Sequence, residues 1–204
     1  MRTRIYLVRH GETDWNSGGK FQGHSDIPLS DKGREQAKRL AKRLKNVDIH
    51  GIYSSDLCRA RETAEIAAKP HQLTVQTMTD LREINFGGWE GLTYQEITEK
   101  FGESYSCWSE NPLMTRIPFG ESLQDMVDRC SRAMQALILE HPGETLLIVA
   151  HGGVIRTIVG TSLGINMNLY WKLKVDHVSL SILEYHGWDK AILELYNETC
   201  HINP

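Results

Sequence analysis

A chain of 204 residues is long enough to bury a real core and fits one domain better than several. Its 23 Lys and Arg against 26 Asp and Glu leave a net charge of −3, which argues against nucleic-acid and membrane partners and requires any anion site to be local. Hydrophobic residues at 40% and charged residues at 24% are globular values, Cys58, Cys107, Cys130 and Cys200 fall at spacings that suggest neither a zinc site nor a disulfide framework, and no stretch approaches the roughly 18 apolar residues of a membrane span, so a reducing cytoplasm is expected.

In chain order, residues 5–8 form a short apolar block of strand formers that stops at Arg9-His10-Gly11, a buried strand feeding a polar loop. From Asp31, the residues Ala37, Leu40, Ala41 and Leu44 recur at helical spacing behind Ser30 as N-cap, with basic side chains between them that read as a wet helix face. Residues 51–53 predict a second strand opening onto Ser54-Ser55, and 56–68 a helix halted before Pro70, with Arg59 one turn inside it. A strand is expected at 74–77. The Gly- and aromatic-rich stretch 81–91 reads as a loop held down by Phe86 and Trp89, the kind of loop that carries function.

Residues 93–101 predict a short helix, and 102–120, with Pro112 and Pro118, a lid-like excursion. Leu123, Met126, Val127, Cys130, Met134, Leu137 and Ile138 trace one stripe of a helix that ends before Pro142-Gly143. Residues 146–150 are continuously apolar, as in a strand buried on both faces, and run into His151-Gly152-Gly153. A helix is expected at 154–163, then two strands paired as a hairpin around Gly187-Trp188, then a tail at 197–204. Strands alternating with helices predict an α/β layer fold with a mostly parallel sheet, whose ligands bind beyond the carboxyl ends of the strands. His10 and His151 stand at two such ends.

These residues suit a phosphate monoester. Neutral His10 offers a lone pair if its other ring nitrogen is tied to a carbonyl, Arg9 and Arg59 offer forked donors matched to phosphate, and glycine beside each histidine lets backbone approach an anion. A helix starting near Gly152 adds its positive end.

Leu7-Val8-Arg9-His10-Gly11-Glu12-Thr13, followed by Trp15-Asn16, resembles the opening signature of the histidine phosphatase superfamily, which includes cofactor-dependent phosphoglycerate mutases and many phosphatases. The likeness continues through Pro28-Leu29-Ser30, Tyr53-Ser54-Ser55-Asp56-Leu57 with Arg59, Leu81-Arg82-Glu83-Ile84, Gly120-Glu121-Ser122 and Val149-Ala150-His151-Gly152-Gly153. It implies one domain over 1–204 with a three-layer sandwich, a mostly parallel central sheet carrying helices on both faces. It also implies His10 as phosphohistidine, a phosphoryl clamp of Arg9, Arg59 and His151, and Glu83 as proton donor to the leaving group. Asn16, Gln22 and Gly152 then line the substrate pocket, and no metal or other cofactor is required.

Mutases that this chain resembles carry Trp-Arg-Arg where it has Trp108-Ser109-Glu110, which favours water over a second phosphorylated acceptor. The tail, with His201, resembles tails of α-ribazole phosphatases and phosphoserine phosphatases. In the latter a histidine follows the acid glutamate, whereas Phe86 stands here and suits a ring-bearing leaving group. Asp176-His177-Val178-Ser179 departs from an expected Asn-x-Ser. The expected activity is metal-independent hydrolysis of a small phosphate monoester such as α-ribazole 5′-phosphate, by a monomer or homodimer. Phosphoglycerate mutase, phosphoserine phosphatase and a phospholigand binder without turnover are the alternatives. Trp89, Trp108 and Trp171 read as packing, and His24, His50, His71, His141 and His186 as solvated or capping. His177 and His201 divide evenly between tail packing and ligand contact.

Overall fold

The computed structural model describes residues 2–202. In chain order these form β1 (Thr3–Arg9), α1 (Asp14–Ser17), α2 (Asp31–Leu44), β2 (Gly51–Ser55), α3 (Cys58–Ala68), β3 (Val75–Met78), α4 (Tyr94–Glu110), α5 (Leu123–Glu140), β4 (Thr145–Ala150), α6 (Gly152–Ser162), β5 (Leu180–Tyr185) and β6 (Ala191–Glu198). Short 3-10 turns lie at Thr79–Leu81, Gly87–Trp89 and Met167–Lys172.

The six strands make one sheet in the order β3-β2-β4-β1-β5-β6. From β3 to β1 every pairing is parallel, and β5 and β6 close the far edge as an antiparallel hairpin. The central strands are apolar without interruption because both faces are covered. On β1, Ile5 and Leu7 enter one core while Tyr6 and Val8 enter the other, and on β4 Leu146, Ile148 and Ala150 oppose Leu147 and Val149. Helices α5 and α6 supply the first core, and α2 and α3, through Leu40, Leu44, Ala60 and Ala64, the second. This is the expected three-layer sandwich.

Helix starts follow the side-chain oxygens. Ser30 accepts from the Gly33 N–H at α2, and Thr93 and Ser122 form capping boxes with Glu96 and Asp125. Among the boundaries that differ from the sequence reading, those of α3 and α4 shift most in consequence. Helix α3 starts at Cys58, so Arg59 is its second residue, and Asp56 is left free to take Arg82 in a two-pronged ion pair.

Helix α4 runs past Gly102 to Glu110, so the first half of the expected excursion at 102–120 is helical. Burial of Trp108 against Trp89, Phe86 and Trp171 outweighs the glycine, and the cost is a kink at Phe101 (φ −133°, ψ 27°).

Candidate active site

Parallel pairing of β1 with β4 sets Arg9 opposite Ala150, so the next residue on each strand, His10 and His151, must emerge side by side. Their ring centres are 5.1 Å apart, edge to face. His10 Nδ1 donates to the Gly11 carbonyl at 2.7 Å, which leaves the lone pair on Nε2. Burial, then Arg59 and Arg9, hold the His10 pKa well below the ordinary histidine value, so the imidazole is neutral. The same burial, with Arg59 and His10, depresses His151.

Arg59 is anchored by two prongs and Arg9 by one, and each keeps its Nε free of protein partners. Arg59 gives its terminal nitrogens to the carbonyls of Ser25 and Gly23, each at 2.7 Å, and Arg9 donates to the Val175 carbonyl at 2.7 Å. Burial lowers the Arg59 pKa and brings Arg9 down to about 10. The Nε of Arg9, the Nε of Arg59 and both ring nitrogens of His151 are buried without a protein partner. So much unmet hydrogen-bonding capacity around His10 is costly unless an anion uses it.

Arg9, His10, Asn16, Gln22, Arg59 and Glu83 line one cavity of about 260 Å³, a volume for a small ligand. Glu83 enters it from the 79–91 loop, its Oε2 accepting from Gly153 N–H at 3.1 Å and its Oε1 from Ile84 N–H at 3.0 Å. A Cβ at Gly153 would lie 2.3 Å from Glu83 Oε1, so any larger residue there displaces the carboxylate from its place. Asn16 caps α1 together with Thr13, whose hydroxyl also donates to Gln22 Oε1 at 3.0 Å, so both amides are held at the cavity wall.

Three residues are engaged otherwise than expected. The missing Cβ of Gly11 makes room for the backbone of Gly33, and its N–H donates to the Thr63 hydroxyl at 3.1 Å. Gly152 starts α6 against the Arg9 side chain, outside the cavity lining, and the first-turn N–H that acts is that of Gly153, on Glu83. His201 lies away from the cavity, its Nε2 donating to the Val178 carbonyl at 3.0 Å and its Nδ1 3.2 Å from Glu198. The tail's last two residues lie outside the described residues.

The structure also brings in residues that the motifs do not mark. Phe21 and Trp171 join Phe86 in an aromatic wall of the cavity, and Lys20, its ammonium over the Trp15 ring, adds a cation. Of the three tryptophans read as packing, Trp89 and Trp108 are buried, whereas Trp171 is half-exposed at the cavity over Arg156. Behind the wall, Arg129 donates to the carbonyls of Asp80, Arg82 and Glu83 and pairs with Glu121. His24, expected to be solvated, donates through Nε2 to the Glu83 carbonyl at 2.9 Å. Glu90 accepts from the His24 and Ser25 N–H groups and so sets the loop whose carbonyls hold Arg59.

The chain as a whole has counterparts among known proteins. The model of the histidine phosphatase superfamily, branch 1, aligns with residues 5–198. Phosphoglycerate mutase-like protein 4 of Arabidopsis thaliana is 41% identical over 97% of this chain and 86% of its own length. Phosphoserine phosphatase 1 of Hydrogenobacter thermophilus is 33% identical over 98% and 94%. The crystal structure of a putative α-ribazole-5′-P phosphatase from Escherichia coli superposes with a TM-score of 0.89 at 30% identity, covering 96% of both chains. The chain belongs to the histidine phosphatase superfamily and is an enzyme of the phosphatase class.

Proposed function

We propose that this enzyme hydrolyses a small phosphate monoester with a ring-bearing or apolar leaving group, of which α-ribazole 5′-phosphate is an example, through a phosphohistidine on His10. The carrying observation is the 2.7 Å bond from His10 Nδ1 to the Gly11 carbonyl, which leaves Nε2 unprotonated and aimed among unpartnered donors. In the first half-reaction Nε2 attacks phosphorus and the ester oxygen departs. Arg9, Arg59 and His151 take up charge on the non-bridging oxygens, and Glu83 gives its proton to the leaving oxygen. In the second, water attacks the phosphohistidine, the Glu83 carboxylate receives its proton, and orthophosphate and neutral His10 are released. Two guanidinium groups supply the cationic field that Mg²⁺ supplies in kinases, and the neutral His151 imidazole adds a hydrogen-bond donor.

Phe21, Phe86 and Trp171 favour a ring in the leaving group, and the exposed Ser109-Glu110 pair offers nothing to a second phosphate. The test is kcat/KM over α-ribazole phosphate, phosphoserine, phosphoglycerate, sugar phosphates and an aryl phosphate, each with and without chelator. A mutase assay primed with bisphosphoglycerate runs beside them. We expect release of inorganic phosphate insensitive to chelation, acid-labile phosphate on His10, and preference for the ring-bearing esters. Isomerisation with negligible phosphate release overturns the reading in favour of a mutase, and binding without any turnover in favour of a phospholigand binder.

A further inference from the structure

The turn at residues 176–179 is stitched to Arg9 from both ends. The Arg9 guanidinium donates to the Val175 carbonyl, and the Val178 N–H donates to the Arg9 carbonyl at 3.0 Å. Val178 has φ +56°, a left-handed conformation that is an outlier for a β-branched residue. Such strain persists only where the surroundings over-determine it. Here they do so from the end of the chain. Asn197 accepts the Asp176 N–H at 2.7 Å and donates to its carboxylate at 2.9 Å, and His201 holds the Val178 carbonyl at 3.0 Å.

What this turn presents is His177. Its ring centre lies 6.0 Å from that of His10, so the nucleophile is flanked by two imidazoles, His151 and His177. Its Nε2 is buried with no protein partner. The ring is not part of the lining of the 260 Å³ cavity; it lines a neighbouring cavity of about 450 Å³, where the cations are already engaged, Lys32 by Glu12, Lys174 by Asp176 and Arg39 by the Ile202 carbonyl. The unused hydrogen-bonding capacity is therefore at Nε2. Burial and the nearby Arg9 bring the His177 pKa to about 3, so the ring adds a donor without adding a like charge beside the guanidinium groups.

We infer that His177 is a further catalytic residue, donating from Nε2 to a non-bridging oxygen of the phosphoryl group, and that His201 is a positioning residue that holds it there through the Val178 carbonyl. This rests on the phosphatase reading of the site. The tail then acts on the reaction through the turn, without touching substrate.

The experiment compares vanadate inhibition and kcat/KM for an aryl phosphate in the wild type, His177→Leu, His177→Asn, His201→Ala and the His177→Leu/His201→Ala double variant. Loss of one donor from a dry oxyanion site is expected to weaken vanadate binding and kcat/KM about 10- to 100-fold. The amide of His177→Asn recovers most of that loss. His201→Ala alone costs about 3- to 10-fold, and nothing further in the His177→Leu background, since coupled residues are not additive. Vanadate inhibition of His177→Leu within twofold of wild type overturns the catalytic role, and a full second loss in the double variant overturns the positioning role.

If His177→Leu does not fold, the wild type decides by ¹⁵N NMR. The His177 Nε2 proton must move downfield on adding orthophosphate, and an unmoved resonance overturns the inference. A wild type that binds vanadate but turns over no phosphomonoester sinks the hydrolase reading alone, because the vanadate and NMR comparisons still test His177.

Discussion

His10 and Glu83 carry opposite halves of the proton bookkeeping, and substitutions separate them. His10→Ala removes the attacking Nε2 lone pair, and its expected effect is a loss of about 10³-fold or more in kcat, with the acid-labile phosphoenzyme gone. Glu83→Gln keeps the shape and one of the two backbone contacts, since its amide oxygen can accept from only one of the positions facing Ile84 and Gly153, and it has no acidic proton to give. For alkyl phosphates, whose leaving oxygen needs that proton, the expected loss is about 10²- to 10⁴-fold. For a nitrophenyl ester it is small, and equal losses for both would refute the acid role. Arg9, His10, Asn16, Arg59 and Glu83 were legible because each sits in a dense local motif, Gln22 came only with the family resemblance, and the cavity gathers all six. Arg129 and His24 were not legible, nor were the contacts that Glu121 and Glu90 make. They act on carbonyls and N–H groups distant in the chain, and a lone arginine on an amphipathic helix or a lone histidine in a loop carries no local mark of that.

At the scale of elements, the 79–91 loop is held from outside, and α5 is what holds it. Buried Arg129 spends its five donors on three loop carbonyls and the Glu121 carboxylate, whose other contact is the Asn85 N–H. Arg129→Met takes the cation from the Glu121 carboxylate and one donor from each of three loop carbonyls, leaving Glu121 with the Asn85 N–H and the Glu83 carbonyl with His24. We expect a loss of about 3–5 kcal/mol in urea unfolding, and a fall in kcat as Glu83 loses its seat. Ser122→Ala, at the start of the same helix, is the control: loss of the capping hydroxyl costs about 1 kcal/mol and leaves kcat unchanged. If the two variants lower kcat alike, the loop is not seated by Arg129. Helix α5 itself was readable from its 3.6-residue stripe. The continuation of α4 through Glu110 was not, because Gly102 and the polar residues around it break the period, and only packing of Trp108 under Phe86, Trp89 and Trp171 makes it helical.

At the scale of the molecule, alternation of apolar strands with amphipathic helices made the layered sheet legible, while strand order was not, since no residue pattern says that β4 inserts between β1 and β2. That insertion crowds cationic and imidazole side chains into one buried place and so ties stability to pH. His10 and His151 are held well below the ordinary histidine value by burial first and the guanidinium groups second, and His177 is at about 3. Between about pH 6.5 and 5 the unfolded chain binds protons at these positions and the folded chain does not, so stability falls as pH falls. Each imidazole contributes up to about 1.4 kcal/mol per pH unit. The carboxylates with depressed values, Asp56, Asp125, Asp176 and Glu198 among them, remain ionised across that window and leave it to the histidines. Urea midpoints at pH 7.5, 6.5, 5.5 and 5.0 should therefore be flat above 6.5 and drop steeply below it, with His177→Asn removing about one proton from the slope. Orthophosphate at a hundred times its Kd should raise the curve by about 2.7 kcal/mol at neutral pH. It should also flatten the acid limb, because a dianion among the imidazoles reduces the penalty for protonating them. A slope unchanged by phosphate would mean that the ligand binds elsewhere than among His10, His151 and His177.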